Sequence, residues 1–322
     1  MSAFTPGSVR VVAVLATSLV VVLLAGLAIV RIRSHAVARA AAWTLAVAAA
    51  VFAERATALE PPGVRMVAVI GLLLYAMKAI VGVESTVRLS PLRWLAFAAL
   101  WPGMRPAIFA TLPSAPRPGA GRLGVRGLTR IAAGVGLIAL GRAAWSTTGS
   151  MLSATALVLP GLSLVLHFGL FNIAAAGWRA AGVPAEPLFR APLLSKSLRE
   201  FWGRRWNLAF AEMTAAGVYR PVAALAGHRS GIAAAFLASG ILHELAISVP
   251  VRAGYGLPLL YFALHGGAML AEGALEAHGA PVNARPWIGR AWTIAWLVLP
   301  LPILFHPPFL RGVVWPLVGL SP

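Results

Sequence analysis

VVAVLATSLVVVLLAGLAIV, residues 11–30, holds no charged side chain, and Thr17 and Ser18 are its only polar ones. A helix needs about 20 mostly apolar residues to cross the hydrocarbon core of a bilayer, so this stretch predicts a membrane span. A cleaved leader has a shorter apolar core ending in a small-residue cleavage site. Here Arg31 and Arg33 follow directly, and the run reads as a retained anchor. Working outward, comparable runs occupy 40–53, 66–83, 128–145, 151–178, 231–249, 257–275, 291–305 and, weakly, 313–320. Residues 92–112 are apolar too, but Trp101-Pro-Gly-Met-Arg-Pro106 interrupts them. Two prolines and a glycine break a helix, and broken backbone is tolerated at membrane depth only where protein covers it. That segment predicts a re-entrant element.

The composition of the whole chain agrees. Of 322 residues, 59% are hydrophobic and 11% charged, against about 25% charged in a soluble domain. This excludes a soluble globular enzyme and a disordered chain. Lys and Arg number 27 against 9 acidic residues, all of them Glu, for a net charge of +18. The basic residues lie between the apolar runs, the pattern of cytoplasmic loops, so no nucleic-acid partner is expected. The absence of Cys excludes disulfides, thiolate-held metals and a Cys nucleophile. Abundant Arg, Ala and Gly match a GC-rich bacterial coding sequence, and hence a place in a bacterial inner membrane.

Arginine placement sets the orientation. Arg31, Arg33 and Arg39 put the first loop inside and the N-terminus outside. Arg88 and Arg93 are then inside, and so are Arg117, Arg122 and Arg126, provided that residues 92–112 dip without crossing. The uncharged loop 146–150 falls outside, and the basic stretch 179–229 falls inside. Residues 113–124, rich in proline and glycine, form a loop. With no repeat and no second domain in view, residues 1–322 read as one integral-membrane domain.

The polar stretch 184–221 is where chemistry is most legible. In Ser197-Leu-Arg-Glu-Phe-Trp-Gly-Arg-Arg-Trp-Asn207, the residues Leu198, Phe201, Trp202 and Trp206 recur at helical spacing, while Arg199, Arg204 and Arg205 take the other face. Ser195 or Ser197 can cap such a helix. The pattern predicts an amphipathic helix in the headgroup layer, which leaves Asn207 unexplained. Downstream, His243 and Glu244 lie inside an apolar run, and ionisable residues there are functional candidates. They point about 100° apart on a helix, so Glu244 is expected to pair with an arginine elsewhere. His265 is the rival to His243, with interhelical hydrogen bonding as its expected role. His167 and His306 also fall in or near spans, whereas His35, His228 and His278 are expected in loops. Gly134 and Gly136 read as helix-packing glycines. His243-Glu-Leu-Ala-Ile247 lacks the second His of a zinc-protease motif, no nucleophile elbow or phosphate loop is present, and no spacing suggests a metal site.

Three of these stretches together resemble a known family. Ser197–Asn207, then Tyr219-Arg-Pro221, then Phe236-Leu-Ala-Ser-Gly-Ile-Leu-His-Glu244 are similar to the signature of plant-type wax synthases in the membrane-bound O-acyltransferase (MBOAT) superfamily. Trp101-Pro-Gly-Met104 resembles an upstream element of the same proteins. The resemblance concentrates in residues 195–245. It implies an all-α, multi-pass fold of about 8–9 spans, with a re-entrant segment and a cytosolic amphipathic helix. It further implies transfer of a fatty acyl group from acyl-CoA, a co-substrate rather than a cofactor, to a hydroxyl acceptor, with wax-ester synthesis first and diacylglycerol, a sterol or a specialised metabolite as other acceptors. By the same resemblance His243 is catalytic and Asn207 its partner. Arg199, Trp202, Arg204, Arg205 and Trp206 would then meet the substrate. A transporter using His243 and Glu244 as a proton relay is the alternative from a different class; it would show paired broken helices and repeats.

Overall fold

The computed structural model describes residues 3–112 and 114–320. Every element in these residues is helical. Seven helices are long and apolar enough to cross a membrane, the architecture of a multi-pass membrane protein. They are α1 (Val9–Ile29), α2 (His35–Ala56), α3 (Pro62–Val83), α5 (Ala120–Thr148), α6 (Met151–Ala180), α7 (Leu208–Val251) and α9 (Pro286–Leu304). Between them lie the short α4 (Pro91–Leu100) and the 21-residue α8 (Leu257–Ala277). The weak run 313–320 forms only short turns, Leu310–Val314 and Trp315–Leu317, packed into the protein.

Small residues set the packing of the first layer. Ala42, Ala46, Ala49 and Ala53 recur every three or four residues, line one face of α2 and are all buried against α3. Their bare methyl groups let the two backbones approach closely. The α5–α6 hairpin uses glycine instead. A Cβ on Gly134 would stand 2.6 Å from the Gly161 carbonyl oxygen, so glycine is required there. Gly136, expected to play the same part, meets nothing within 4 Å, because its position faces away from α6. The loop expected over 113–124 ends sooner: α5 already begins at Ala120, after Gly119 at φ +82°. Pro113 lies outside the described residues.

Two interruptions shape the interior. The first is the expected break after α4: residues 101–105 have no regular structure, with Trp101 and Arg105 extended, and a single turn, Pro106–Phe109, follows. The buried Lys78 of α3 donates from Nζ to the carbonyl oxygens of Trp101 and Gly103, both at 2.6 Å, and lies 4.1 Å over the Phe97 ring. Lys78 is five residues from the end of α3, so the break sits roughly 8 Å along the helix from its arginine-rich end. The second interruption is Gly227, at φ 84° and ψ 167° inside α7. An L-residue with a side chain is strained in that conformation, and the glycine lets α7 double back. The Tyr219 hydroxyl meets His228 Nδ1 at 2.6 Å, and the Phe210 ring lies 5.5 Å from that of His243. Residues 208–226 and 228–251 are therefore antiparallel arms of a hairpin.

Segments assigned to one side by their arginines touch one another. Arg39 pairs with Glu84, and Arg199 with Glu276, at one end of the bundle. The Gly7 N–H donates to Glu60, and Arg252 to the Ala58 carbonyl, at the other.

Candidate functional site

The tryptophan-rich segment begins with a tightly capped turn. Ser197 Oγ accepts from the Glu200 N–H at 3.1 Å, as a helix-capping serine does. The buried Glu272 of α8 accepts from the Leu198 and Arg199 N–H groups at 2.7 and 3.2 Å, and from the Trp292 indole at 2.8 Å. A carboxylate at a helix N-terminus is favoured by the exposed N–H groups and by the helix dipole. Leu198–Glu200 then passes into a wide π turn, Phe201–Arg205. This helical run differs from the expected headgroup-layer helix in what its apolar face covers. Phe201 is buried and stacks on Trp206 at 5.5 Å, while Trp202 meets Phe236, Phe262 and His265 edge-on or tilted. The face packs on protein because the chain descends between α6, α7 and α8 before turning back at Asn207.

That turn carries local strain. Asn207 sits at φ 43°, in the left-handed region that Asn tolerates better than most residues. Its Oδ1 accepts from the Phe210 N–H at 3.2 Å and caps the first arm of α7. The carbonyl of Leu188 takes the Leu208 N–H at 2.9 Å, and the carbonyl of Arg205 takes the Arg190 N–H at 2.7 Å. No hydrogen bond engages Asn207 Nδ2 among the described residues, so the amide keeps a donor to spend.

His243 faces this turn across the hairpin. Its Nδ1 lies 2.7 Å from the Ser239 carbonyl oxygen, which can only accept. The proton is therefore on Nδ1, and Nε2 carries the lone pair. Phe262 and Phe210 flank the ring at 4.2 and 5.5 Å. A π turn, Glu244–Ser248, follows immediately, and such turns are frequent at functional sites. Phe210 thus touches His243 with its ring and Asn207 with its N–H, joining the two residues. Among the described residues Glu244 does not pair with an arginine. Its Oε1 takes the Leu259 N–H at 3.2 Å, because the start of α8 presents unsatisfied N–H groups there.

His265 is fully buried and accepts from the Trp202 indole at 3.1 Å through Nδ1, the interhelical hydrogen bond expected of it. His35 and His228 lie within helices rather than loops, and His278 sits at the end of α8. The arginines divide by engagement. Arg205 is held by Glu200 at 2.6 Å and by the Arg190 and Ala191 carbonyls. Arg199 reaches Glu276 at 3.1 Å. Arg204 is exposed and makes no ion pair among the described residues. Partial burial pushes the Glu200 carboxyl up, but the Lys196 N–H and the Arg205 guanidinium more than offset this, and its pKa lies below the ordinary carboxylate value.

Sequence reasoning gave no role to three contributors. His167, in a π turn of α6, stacks on Phe189 at 4.5 Å and meets Trp206 at 5.4 Å, closing the aromatic wall on the far side of the turn. Glu212, on the first arm of α7, holds Arg105 of the α4 break at 2.7 Å. Lys78 fixes the same break from the other side. A lone Lys in the apolar run 66–83 was the available signal.

Comparison with known proteins converges on this region. Residues 185–264 match the Membrane bound O-acyl transferase family. They take in the whole descending turn and His243, and stop just short of His265. Probable long-chain-alcohol O-fatty-acyltransferase 7 of Arabidopsis thaliana is 35% identical over 142 residues, which are 41% of this chain and 42% of that protein. Probable long-chain-alcohol O-fatty-acyltransferase 2 of the same plant is 36% identical over 143 residues, 41% of each chain. The long-chain-alcohol O-fatty-acyltransferase of Simmondsia chinensis is 29% identical over 140 residues, 40% of each. The match thus spans about two fifths of the length of these relatives, and over that span the chain is wax-synthase-like, as its motifs implied. These relatives are plant proteins and lend no support to a bacterial inner membrane.

Proposed function

We propose that the chain transfers a fatty acyl group from acyl-CoA to the hydroxyl of a long-chain alcohol, forming a wax ester. The observation that carries this reading is the pairing across the α7 hairpin. An imidazole with its proton on Nδ1 and its lone pair on Nε2 shares Phe210 with an amide whose N–H groups are unspent. The names of the relatives support the choice of acceptor.

The chemistry needs no covalent enzyme intermediate, because a thioester carbonyl is already activated. The alcohol oxygen attacks the carbonyl carbon while His243 Nε2 accepts its proton. Asn207 Nδ2 donates to the carbonyl oxygen as charge develops there, and one such donor is worth roughly 3 kcal/mol. The C–S bond then breaks, and the imidazolium returns the proton to the departing CoA thiolate, giving ester and free CoA. Arg204, exposed and without an acidic partner among the described residues, meets the CoA phosphates. Trp202 and Trp206 line the descent of the acyl chain, and Arg199 and Arg205 hold the turn that shapes it. The test is purified protein with labelled acyl-CoA and a panel of alcohols, diacylglycerol and sterols, read by product mass spectrometry. Wax ester from long-chain alcohols is the expected product. No ester with any hydroxyl acceptor overturns the proposal.

A further inference from the structure

The helix after the α7 hairpin, α8, is docked on the arm that carries His243. A Cβ on Gly240 would stand 2.6 Å from Leu259 Cδ1 and 3.0 Å from Leu259 Cα, and one on Gly266 would stand 3.0 Å from Phe236 Cβ. Glycine at both positions lets the two helices approach closely, so α8 and His243 belong to one packed unit. Phe262, His265 and Glu272 of α8 are all buried, and their spacing puts them on one face of the helix. That face meets the tryptophan-rich segment at successive heights. Phe262 flanks the His243 ring at 4.2 Å and the Trp202 ring at 5.6 Å. His265 Nδ1 accepts from the Trp202 indole at 3.1 Å. Glu272, two turns and about 10 Å further along α8, accepts from the Leu198 and Arg199 N–H groups.

Packing alone does not call for these polar side chains. His265 sits among the rings of Trp202, Tyr261 and Trp296. A leucine or phenylalanine there would bury apolar surface without withdrawing ring nitrogens from water. What the imidazole adds is an acceptor for the Trp202 indole, which can only donate. Its lone pair is spent there, whereas His243 keeps the lone pair of Nε2. A buried carboxylate in a largely apolar helix is costlier still, and Glu272 offsets that cost with three donors, the third being the Trp292 indole of α9. From the α9 side, a Cβ on Gly289 would strike the Lys196 carbonyl oxygen. The start of the segment is thus held between α8 and α9, and Trp202 is held again a turn later.

We propose that His265 and Glu272 are positioning residues that fix the depth and rotation of residues 198–207 against His243. Glu272 sets where the segment begins along α8. His265 sets its rotation by holding one edge of the Trp202 indole, and Phe262 carries that register to the His243 ring. Asn207 follows Trp202 by little more than one turn, so a slip of the run displaces its amide from the imidazole. A misplacement of 1 Å can cost about 10² in rate. The inference rests on the acyl-transfer reading for its kinetic consequence, and on the contacts alone for its structural one.

The experiment uses the full chain in neutral detergent and compares the wild type with Glu272→Gln, Trp202→Phe, His265→Leu and His265→Asn. Glu272→Gln turns one acceptor into an NH2 group facing an N–H. Trp202→Phe and His265→Leu each remove one end of the indole bond, and His265→Asn keeps an acceptor close to Nδ1. In acyl transfer to a long-chain alcohol, kcat should fall about tenfold or more in the first three variants, with the KM for acyl-CoA near wild type. His265→Asn should recover most of the loss. Trp202→Phe combined with His265→Leu should lose no more than either alone, because both break the same bond. An Asn variant as impaired as the Leu variant, additive losses, or a raised KM with unchanged kcat overturns the proposal. Should His265→Leu not fold, Glu272→Gln and Trp202→Phe carry the same test. Hydrogen exchange read by mass spectrometry needs no turnover. Amides of residues 198–207 should exchange faster in Glu272→Gln and His265→Leu, while α5 and α6 keep wild-type protection. A wild type without acyl transfer counts against the acyl-transfer reading alone, and exchange then decides. Unchanged exchange over 198–207, or an equal rise throughout α5 and α6, overturns the positioning role.

Discussion

The chain breaks its helices at two places inside the bundle, after Leu100 and before Leu208, and the two breaks are finished differently. At the first, the Trp101 and Gly103 carbonyls receive Lys78, the Ala110 carbonyl receives Arg93 at 2.8 Å, and Trp101 and Met104 are buried. Its polar groups are provided for. At the second, Asn207 spends its side-chain oxygen on the backbone and keeps its N–H groups, opposite a histidine that keeps a lone pair. Buried backbone must be satisfied in both places, but only the second retains donors and acceptors beyond that requirement. A break that satisfies itself is a strut, and a break with polar capacity left over can do chemistry. Glu212 joins the two, since it pairs with Arg105 of the first break from the helix that Asn207 caps.

The contrast can be broken first at His243. Changing His243→Ala removes the proposed proton acceptor while leaving the strut intact, and turnover is expected to fall by roughly 10²–10⁴. Near-normal turnover in a folded, monodisperse variant would remove His243 from the chemistry and bring His265 forward.

Asn207 offers the sharpest separation of architecture from chemistry. Asn207→Asp retains a capping oxygen and tolerance of the left-handed region but loses the amide donor. Its kcat should fall by about 10²–10³, with the melting temperature close to wild type. Asn207→Ala should lose the cap as well, at a further cost of about 1 kcal/mol of stability. Equal kcat in the Asp variant and the wild type would reduce Asn207 to a helix cap.

Lys78→Met tests the strut. It strands two carbonyl groups in a buried position, at about 1–3 kcal/mol each, so thermal unfolding should occur at lower temperature. The KM for acyl-CoA of the folded fraction should stay near wild type. A large KM effect with unchanged stability would show that the first break, too, belongs to the site.

Smaller effects are expected at the arginines. Arg204→Gln should raise the KM for acyl-CoA several-fold with little change in kcat, the mark of lost uniform binding. Arg205→Gln should mainly loosen the turn, because that guanidinium is committed to Glu200 and two carbonyls. Indistinguishable kinetics for the two variants would erase the distinction between free and committed arginines.

The smallest effect concerns pH. The Glu200 pKa is depressed in the folded protein, so its ionised form favours folding. That contribution is fully present above the unfolded carboxylate value, about 4.3, and is lost as pH falls through the lower folded value. Glu200→Gln should flatten the acid limb of stability and leave neutral pH nearly unchanged. An acid limb identical to wild type would assign the loss to other carboxylates.

Much of the architecture was legible in the chain alone. Long uncharged runs have one solution in a bilayer, because helices satisfy their own backbone groups. The proline- and glycine-bearing break after Leu100 could be read for the same local reason. The arginine pattern, an electrostatic property of loops, gave a sidedness with which the end-to-end contacts agree. The candidate site was readable as a motif, since a single segment carries most of it and His243 lies in the next helix.

Tertiary structure decided the rest. The aromatic face of Leu198–Arg205 was read as turned toward lipid, because amphipathy says only that a face is buried and not by what. Glu244 was expected to find an arginine, yet a helix N-terminus supplied the partner, and backbone donors leave no trace in side-chain patterns. Gly134 and Gly136 look alike in sequence, and only the placement of α6 made one essential and left the other open. That α7 doubles back at Gly227 rests on a backbone conformation open to any glycine, chosen here because the two arms pack on each other. The closure of Asn207 and His243 around Phe210 follows from that hairpin, since residues 36 positions apart meet only after the chain has turned.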